Sequence, residues 1–277
     1  MRDPSSKAPG SLADGSSRAE AGSLVVAGLG IAGPAHATRE TLAAIRHAET
    51  LFYLVADPLS RAWLLELRPD AADLADTYAV GKSRDRSYRE MVRRILAPVR
   101  AGRSVCALYY GHPGVFATPP HVAVRRARRE GFEARMLPAV SAEDCLFADL
   151  GVDPSETGCQ SYEATDFLLR RRRVDPTAAL VLWQIGLVGV DDVREEELWS
   201  AEGLHVLVTT LLGIYPPAHR VTVYEASTLP VAPPRIERVR LERLERTRVS
   251  ALSTLYVPPL PDRATDRRMA RRLGLVD

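Results

Sequence analysis

Three continuous apolar runs, each separated from the next by a helical segment, constrain this fold more than any other feature. The runs begin at Ser23, Leu51 and Val105 and end at turns rich in glycine or proline. Strands that are buried on both faces have this pattern, because helices cover both sides of a parallel sheet. Helices are predicted over 37–49 and 84–101. The first half is therefore predicted to be an α/β unit with a largely parallel sheet.

The pattern of apolar runs changes in the second half of the chain. Ala179–Ile185 is predicted to be another buried strand, whereas Val221–Tyr224 and Ser253–Val257 are shorter strand-like runs near prolines. This pattern favours a second α/β unit with more antiparallel pairing. The predicted layout is a flexible N-terminal tail (1–22), an N-terminal α/β domain (23–138), a C-terminal α/β domain (139–261) and a basic C-terminal tail (262–277).

Composition excludes several classes of protein. The 37 basic and 35 acidic residues leave a formal charge of +2, which provides no global electrostatic attraction to nucleic acid. No apolar run reaches the roughly 18 residues that a membrane span requires, and the N-terminus lacks the apolar core of a secretory signal. The three cysteines show no metal-ligand spacing and suit reduced thiols. We expect a soluble, cytoplasmic protein that binds neither nucleic acid nor membrane and holds no metal.

A glycine motif follows the first strand. Gly28, Gly30 and Gly33 satisfy the G-x-G-x-x-G pattern of dinucleotide sites, and Asp57 after the second strand is a candidate for the ribose-binding acid. A tight turn that needs small residues has the same pattern. A nucleoside ligand without a pyrophosphate would also suit this turn, so the motif leaves these alternatives open.

The loop after the third strand is more informative. Gly111–Gly114 combines two glycines, a proline and His112 at the edge where α/β sheets bind ligands. This favours a rigid ligand-binding loop, with a hydrogen-bonded structural histidine as the alternative. Farther along, Ser141 and Asp144 have the spacing of a helix capping box rather than that of a catalytic pair.

A third candidate lies in a polar stretch of the first half. Arg84 and Tyr88 are four residues apart, so a helix would place both on one face, with Tyr78 shortly before them. A guanidinium beside a phenol stabilises phenolate and polarises a carbonyl oxygen, which the methylation of an amide requires. A solvated, charged helix face is the alternative interpretation.

Together, these segments resemble the tetrapyrrole-methylase superfamily of S-adenosylmethionine-dependent methyltransferases and, within it, the borosin peptide backbone α-N-methyltransferases. The order and density of the matching segments carry the resemblance, and SAEDCLFADLGVDP and QSYEATDFL are borosin-like. The segments are SLVVAGLGI, GKSRDRSY, YYGHPGVFATPPH, GFEARMLPAVSAEDCLFADLGVDP, GCQSYEATDFLL, LVLWQIG, YEASTLPVAPPRIER and STLYVPP.

The resemblance implies a class III methyltransferase fold of two α/β domains, with the methyl donor S-adenosylmethionine in the cleft between them. S-adenosylhomocysteine would be the product. By motif position, the implied catalytic residues are Tyr78, Arg84, Tyr88 and Tyr110. The implied donor-binding residues are Tyr110, His112, Val115, Thr118, Ala142, Gln184, Ala226, Ser253 and Thr254.

The resemblance also implies a substrate and partners. Some family members are fused to their own substrate, but the charged segment after Pro259 contains no apolar core peptide. The chain thus resembles the split type, which methylates a separate precursor peptide as a homodimer or as a heterotetramer with the precursor. Ala75 stands where fusion-type members have a second tyrosine, which favours the split type. Ala139 stands where the family has glycine, which calls the backbone geometry there into question.

The implied mechanism must overcome the poor nucleophilicity of a peptide nitrogen, whose lone pair is delocalised into the carbonyl. Tyr88 as phenolate would accept the N–H proton, and Arg84 would hold the charge that develops on oxygen. Tyr78 would assist on the oxygen side, and Tyr110 would position the methyl group. Two alternatives stay open: methylation of a tetrapyrrole or another small acceptor, and a non-catalytic scaffold that binds the precursor.

Overall fold

The computed structural model describes residues 22–55, 57–190, 199–261 and 265–275. Within these ranges the chain forms two five-stranded sheets, one in each half. Except for Gly22, the predicted N-terminal tail lies outside the described residues. The predicted C-terminal tail is described from 265 to 275, where a short helix, α9, spans Arg267–Arg272. No helix in the described ranges has both the length and the apolar character needed to cross a bilayer.

The first sheet is entirely parallel, as the apolar runs predict. Its strand order is β3-β2-β4-β1-β5, and each neighbouring pair runs in the same direction. The central strands are the three predicted ones; the two edge strands are short or polar and had no such signal. The strands are β1 (Ser23–Gly28), β2 (Thr50–Leu54), β3 (Ala72–Asp73), β4 (Ser104–Tyr109) and β5 (Glu133–Met136).

Helices cover both faces of this sheet, which explains why its strands lack polar alternation. Ile45 and Leu64, from two of the helices, join one core, and Met91 and Ala123, from the other two, join the core on the opposite face. The two predicted helices are present, slightly shorter than expected. The helices are α1 (Arg39–His47), α2 (Pro58–Leu67), α3 (Arg84–Arg100) and α4 (Thr118–Arg129).

The second sheet has mixed pairing, as predicted. Its order is β6-β7-β10-β8-β9; only β6 and β7 are parallel, and the other neighbouring pairs are antiparallel. The two edge strands were not predicted, because polar side chains interrupt their apolar pattern. The strands are β6 (Cys159–Glu163), β7 (Ala179–Trp183), β8 (Arg220–Glu225), β9 (Arg235–Arg240) and β10 (Thr254–Val257).

Four further helices accompany the second sheet: α5 (Ala142–Leu150), α6 (Pro154–Thr157), α7 (Ala164–Leu169) and α8 (Ala201–Leu212). Leu146 of α5 packs on one face of the sheet, and Phe167 and Leu207 pack on the other. The predicted capping box is confirmed: the Ser141 side chain accepts from the Asp144 N–H, and the Asp144 carboxylate accepts from the Ser141 N–H. The box fixes the start of α5 beside the end of β5.

The glycine motif allows the backbones at the ends of β1 and β4 to lie close together. A Cβ on Gly28 would lie 2.3 Å from the Gly111 carbonyl oxygen. Gly30 and Gly111 exchange two backbone hydrogen bonds of 3.2 and 2.9 Å. Asp57, the candidate ribose ligand, instead caps α2 by accepting from the Ser60 N–H at 2.8 Å. The turn interpretation therefore holds, and the proposed role of Asp57 in a dinucleotide site was wrong because its carboxylate is a helix cap.

The crowding at Gly28 indicates that a larger side chain there would destabilise the fold. We expect Gly28→Ala to lower the free energy of unfolding by about 1–3 kcal/mol, because the methyl group would press against backbone atoms that cannot rotate away. Gly213→Ala is the matched control, since a Cβ there would meet only the Thr210 carbonyl oxygen at 3.3 Å. Urea titration of both variants measures the difference. Equal stability of the two would contradict the close approach.

Candidate active site

A cavity of about 510 Å³ opens where the carboxyl edge of the first sheet faces the second sheet. Its volume is in the range of small-ligand sites. Both halves of the chain line it, and ten of the twelve different site residues expected from the sequence lie in its walls. These ten are Tyr78, Arg84, Tyr88, Tyr110, His112, Val115, Ala142, Gln184, Ala226 and Thr254.

The loop after β4 forms one wall and is held by its own backbone. The Gly114 N–H donates to His112 Nδ1 at 2.9 Å, so a neutral His112 carries its proton on Nε2. Phe116 then reaches across to Trp183 of β7, with 5.1 Å between the ring centroids. His112 is thus both a structural loop residue and a cavity residue. This aromatic contact joins the two halves at the cavity wall.

The neighbouring turn packs close to the end of β1. The ideal Cβ position of Gly28 lies 2.6 Å from the Ala139 Cβ. Ala139 is not among the non-glycine residues with positive φ. The alanine that replaces the expected glycine therefore fits this turn without backbone strain.

A hydrogen-bonded turn brings Tyr78 to the start of α3. The Thr77 carbonyl accepts from Lys82 Nζ at 2.6 Å and from the Ser87 hydroxyl at 3.1 Å. These two bonds tie the segment before the helix to its first turn. Tyr78 consequently faces the same cavity as Arg84 and Tyr88, which occupy one side of α3.

The electrostatics of this cluster favour a protonated Tyr78. Burial raises its pKa, and the nearby phenols of Tyr88 and Tyr110 raise it further, while the charge of Arg84 offsets part of the effect. Arg84 is the first residue of α3, where the positive end of the helix dipole disfavours a cation. Helix stability therefore does not explain a cation at this position. In the described ranges, no group of three or more His, Cys, Asp or Glu side chains is arranged to hold a metal.

A half-buried carboxylate organises the opposite wall. Glu225 Oε1 accepts hydrogen bonds from Ser253, from Ser250 at 2.9 Å and from Arg235 at 3.0 Å. Burial alone would raise the pKa of Glu225, but these donors and the Arg235 charge together lower it. The charged Glu225 therefore holds the loop that supplies Ala251, Leu252 and Thr254 to the cavity.

Two expected site residues are absent from the cavity walls. Ser253 is fully buried and uses its hydroxyl to bind Glu225, so it supports the wall from behind. Thr118 begins α4, and its neighbours Ala117 and Pro119 line the cavity instead. Four aromatic residues of the cavity wall were not predicted from the sequence. They lie within or beside the matching segments, and the only signal for them is that each is close in sequence to an expected site residue. They are Tyr109, Phe116, Trp183 and Tyr224.

Backbone strain is concentrated at this cavity. Among the described residues, three non-glycine residues have positive φ: Phe116 (51°), Arg171 (48°) and Gln184 (58°). Phe116 and Gln184 both line the cavity. Such conformations cost roughly 1–3 kcal/mol each and persist where the surroundings impose them.

The Glu225 network predicts a pH-dependent stability. We expect Glu225→Gln to lower the free energy of unfolding at pH 7 by about 1–3 kcal/mol, because it weakens a charge-assisted network. The folded-state pKa lies below the ordinary value of 4.5. The difference in the free energy of unfolding between the two proteins is therefore largest above pH 4.5, and it decreases as the pH falls through the lowered pKa.

Glu237→Gln is the control, since Glu237 also binds Arg235, at 2.6 Å, whereas the two serines donate to Glu225. Its carboxylate is more exposed, so we expect a smaller effect. Denaturant titrations between pH 3 and pH 8 would measure all three proteins. A pH-independent difference for Glu225→Gln would contradict a charged Glu225 in the fold.

Comparison with known proteins indicates the family of this chain. The family of Tetrapyrrole (Corrin/Porphyrin) Methylases matches residues 23–244. The chain is 40% identical over 265 residues to the methyltransferase/ribosomally synthesized cyclic peptide gymnopeptides precursor of Gymnopus fusipes; the match covers 94% of this chain and 63% of that protein. It is 41% identical over 259 residues to the methyltransferase/ribosomally synthesized type I borosin cyclic peptide precursor of Mycena rosella, covering 92% of this chain and 64% of the relative. The chain thus spans slightly less than two thirds of the length of these relatives.

The fold is similar to that of a solved methyltransferase. The crystal structure of uroporphyrin-III-C-methyltransferase from Thermus thermophilus superposes with a TM-score of 0.61 at 20% identity, over 86% of this chain and 92% of that one. The two-sheet α/β fold is therefore the tetrapyrrole-methylase-like, class III methyltransferase fold expected from the sequence. From the family match and this fold, we conclude that the chain belongs to the tetrapyrrole (corrin/porphyrin) methylase family.

Proposed function

We propose that this chain transfers methyl groups from S-adenosylmethionine to backbone amide nitrogens of a peptide. The observation that carries the proposal is the convergence of Tyr78, Arg84 and Tyr88 on the cavity that the His112 loop also lines. This set offers a proton acceptor and a cation but no carboxylate of its own. The similar relatives support a peptide substrate, since their names join a methyltransferase to a cyclic peptide precursor.

The cavity suits the proposed methyl donor. It has the volume of a small-ligand site and is walled by aromatic and backbone groups from both halves. Gly111, with φ of 63°, leaves its part of the wall without a side chain. When bound, S-adenosylmethionine supplies an electrophilic methyl group. The residues proposed to hold it are Tyr110, His112, Val115, Thr118, Ala142, Gln184, Ala226, Ser253 and Thr254, with Thr118 and Ser253 acting from behind the wall.

The chain's own groups would make the amide nitrogen reactive. Tyr88 as phenolate accepts the N–H proton, and the negative charge that then moves to the carbonyl oxygen is held by Arg84. Because its pKa is raised, Tyr78 keeps its proton and donates a hydrogen bond within this cluster. Tyr110 lies at the cavity rim, where it would position the methyl group against the nitrogen.

A second part of the proposal concerns how the peptide reaches the site. Tyr110, Phe116 and Leu252 line the cavity yet are 51%, 49% and 62% exposed, so an apolar entrance faces solvent. We propose that a separate precursor peptide enters there and is methylated in trans. A homodimer and a heterotetramer with the precursor are the proposed assemblies.

Intact mass spectrometry tests the proposal. The protein is incubated with S-adenosylmethionine and a candidate precursor peptide, and fragmentation locates each added methyl group. We expect stepwise methylation on backbone nitrogens. A mass shift on a tetrapyrrole pigment instead of the peptide would support the small-acceptor alternative. Donor binding without transfer to any acceptor would support a scaffold.

Tyr88→Phe tests the assigned base. We expect kcat for peptide methylation to fall by about a hundredfold or more, because the phenol that accepts the proton is removed.

Tyr162→Phe is the matched control, since Tyr162 packs on Phe167 outside the cavity. It should retain its activity. Calorimetry with S-adenosylhomocysteine should show unchanged binding to both variants. Near-normal methylation by Tyr88→Phe would overturn the assignment of the base.

A further inference from the structure

Two tyrosine hydroxyls among the described residues are buried without a hydrogen-bond partner, those of Tyr109 and Tyr215. A buried hydroxyl without a partner has lost its hydration and gained nothing in return. Such a group calls for an explanation, and the two tyrosines differ in where they lie. Tyr109 lines the cavity, whereas Tyr215 belongs to the core beneath α8 and stacks on His219.

Tyr109 is rigidly placed. It ends β4 between β1 and β2, opposite Gly28 and Leu54, and is only 3% exposed. The Leu29 N–H donates to its carbonyl oxygen at 2.8 Å. Its ring belongs to the core on which Tyr78 and Tyr88 also pack. The ring is therefore held beside the tyrosine cluster, and its hydroxyl is covered in the ligand-free protein.

The surroundings of Tyr109 keep its proton in place. Burial raises the pKa of this phenol, and the nearby Tyr78 raises it further. These effects favour the neutral phenol of Tyr109, which can donate a hydrogen bond. A neutral phenol at this site can donate to an oxygen, but it cannot compete with Tyr88 for the role of base.

We propose that the Tyr109 hydroxyl donates a hydrogen bond to the carbonyl oxygen of the amide that is methylated. The inference rests on the proposed function for the identity of the acceptor. Loss of the N–H proton moves negative charge onto that oxygen, so a donor already fixed in the wall strengthens its bond as the reaction proceeds. Tyr109 then acts with Arg84 on the oxygen side, opposite Tyr88 on the nitrogen side.

Tyr109→Phe tests this assignment, because it removes only the hydroxyl. We expect kcat/KM for the peptide to fall about tenfold, a loss typical of one missing hydrogen bond. The melting temperature of the ligand-free variant should be unchanged or higher, since no hydrogen bond is lost there. If the hydroxyl had only a structural role, its removal would leave kcat/KM unchanged and would lower the melting temperature.

Tyr215→Phe is the matched control, with the same buried and unpartnered hydroxyl far from the cavity lining. It should show the same unchanged or raised melting temperature and full activity. Two outcomes would overturn the proposal: Tyr109→Phe with kcat/KM within twofold of the unaltered chain, or a ligand-free Tyr109→Phe that melts well below it. The second result would mean that a resident water or another group already satisfies the hydroxyl.

A readout without turnover separates this inference from the proposed function. The rise in melting temperature caused by the peptide in the presence of S-adenosylhomocysteine should be smaller for Tyr109→Phe than for the unaltered chain. Methylation by the unaltered chain reports on the proposed function alone. An equal rise in both proteins would contradict the contact with the peptide.

Discussion

The close approach of the ends of β1 and β4 is the constraint on which the rest of the site depends. Gly28 has no room for a side chain, and Gly30 and Gly111 bond backbone to backbone. Because the approach leaves the strands no freedom to slide, the residues that follow β4 emerge in one direction. The tyrosines at the end of β4 and the His112 loop therefore reach the cavity as parts of a rigid sheet edge.

The two halves contribute different chemistry to this cavity. The phenols and the guanidinium of the candidate cluster come from the first half, where Thr77 ties Tyr78 to α3. The second half contributes walls that its own half-buried carboxylate, Glu225, keeps in place. The proposed proton transfer and the proposed containment of the ligand therefore belong to separately built parts, which meet at the contact between Phe116 and Trp183.

Much of the fold could be predicted from sequence because buried parallel strands are apolar on both faces. β1, β2 and β4 had that signal, whereas the edge strand β9 has only two apolar residues, Ile236 and Val239, among arginines and a glutamate and was missed. The candidate cluster was predictable where helical spacing or a recognisable motif linked its members, as for Arg84 and Tyr88. The roles of Trp183 and Glu225 were not predictable, although both lie within matching segments, because they arise from contacts with other segments of the chain.

The strained backbone at Phe116 and Gln184 couples the stability of the fold to the shape of the cavity wall. Both residues have positive φ, which glycine adopts without steric cost, so glycine at either position would relieve the strain. Relaxation at Phe116 would remove the ring that meets Trp183, and relaxation at Gln184 would remove a side chain from the wall. Substitutions that relieve this strain and stabilise the fold would therefore be expected to alter the cavity wall before the core.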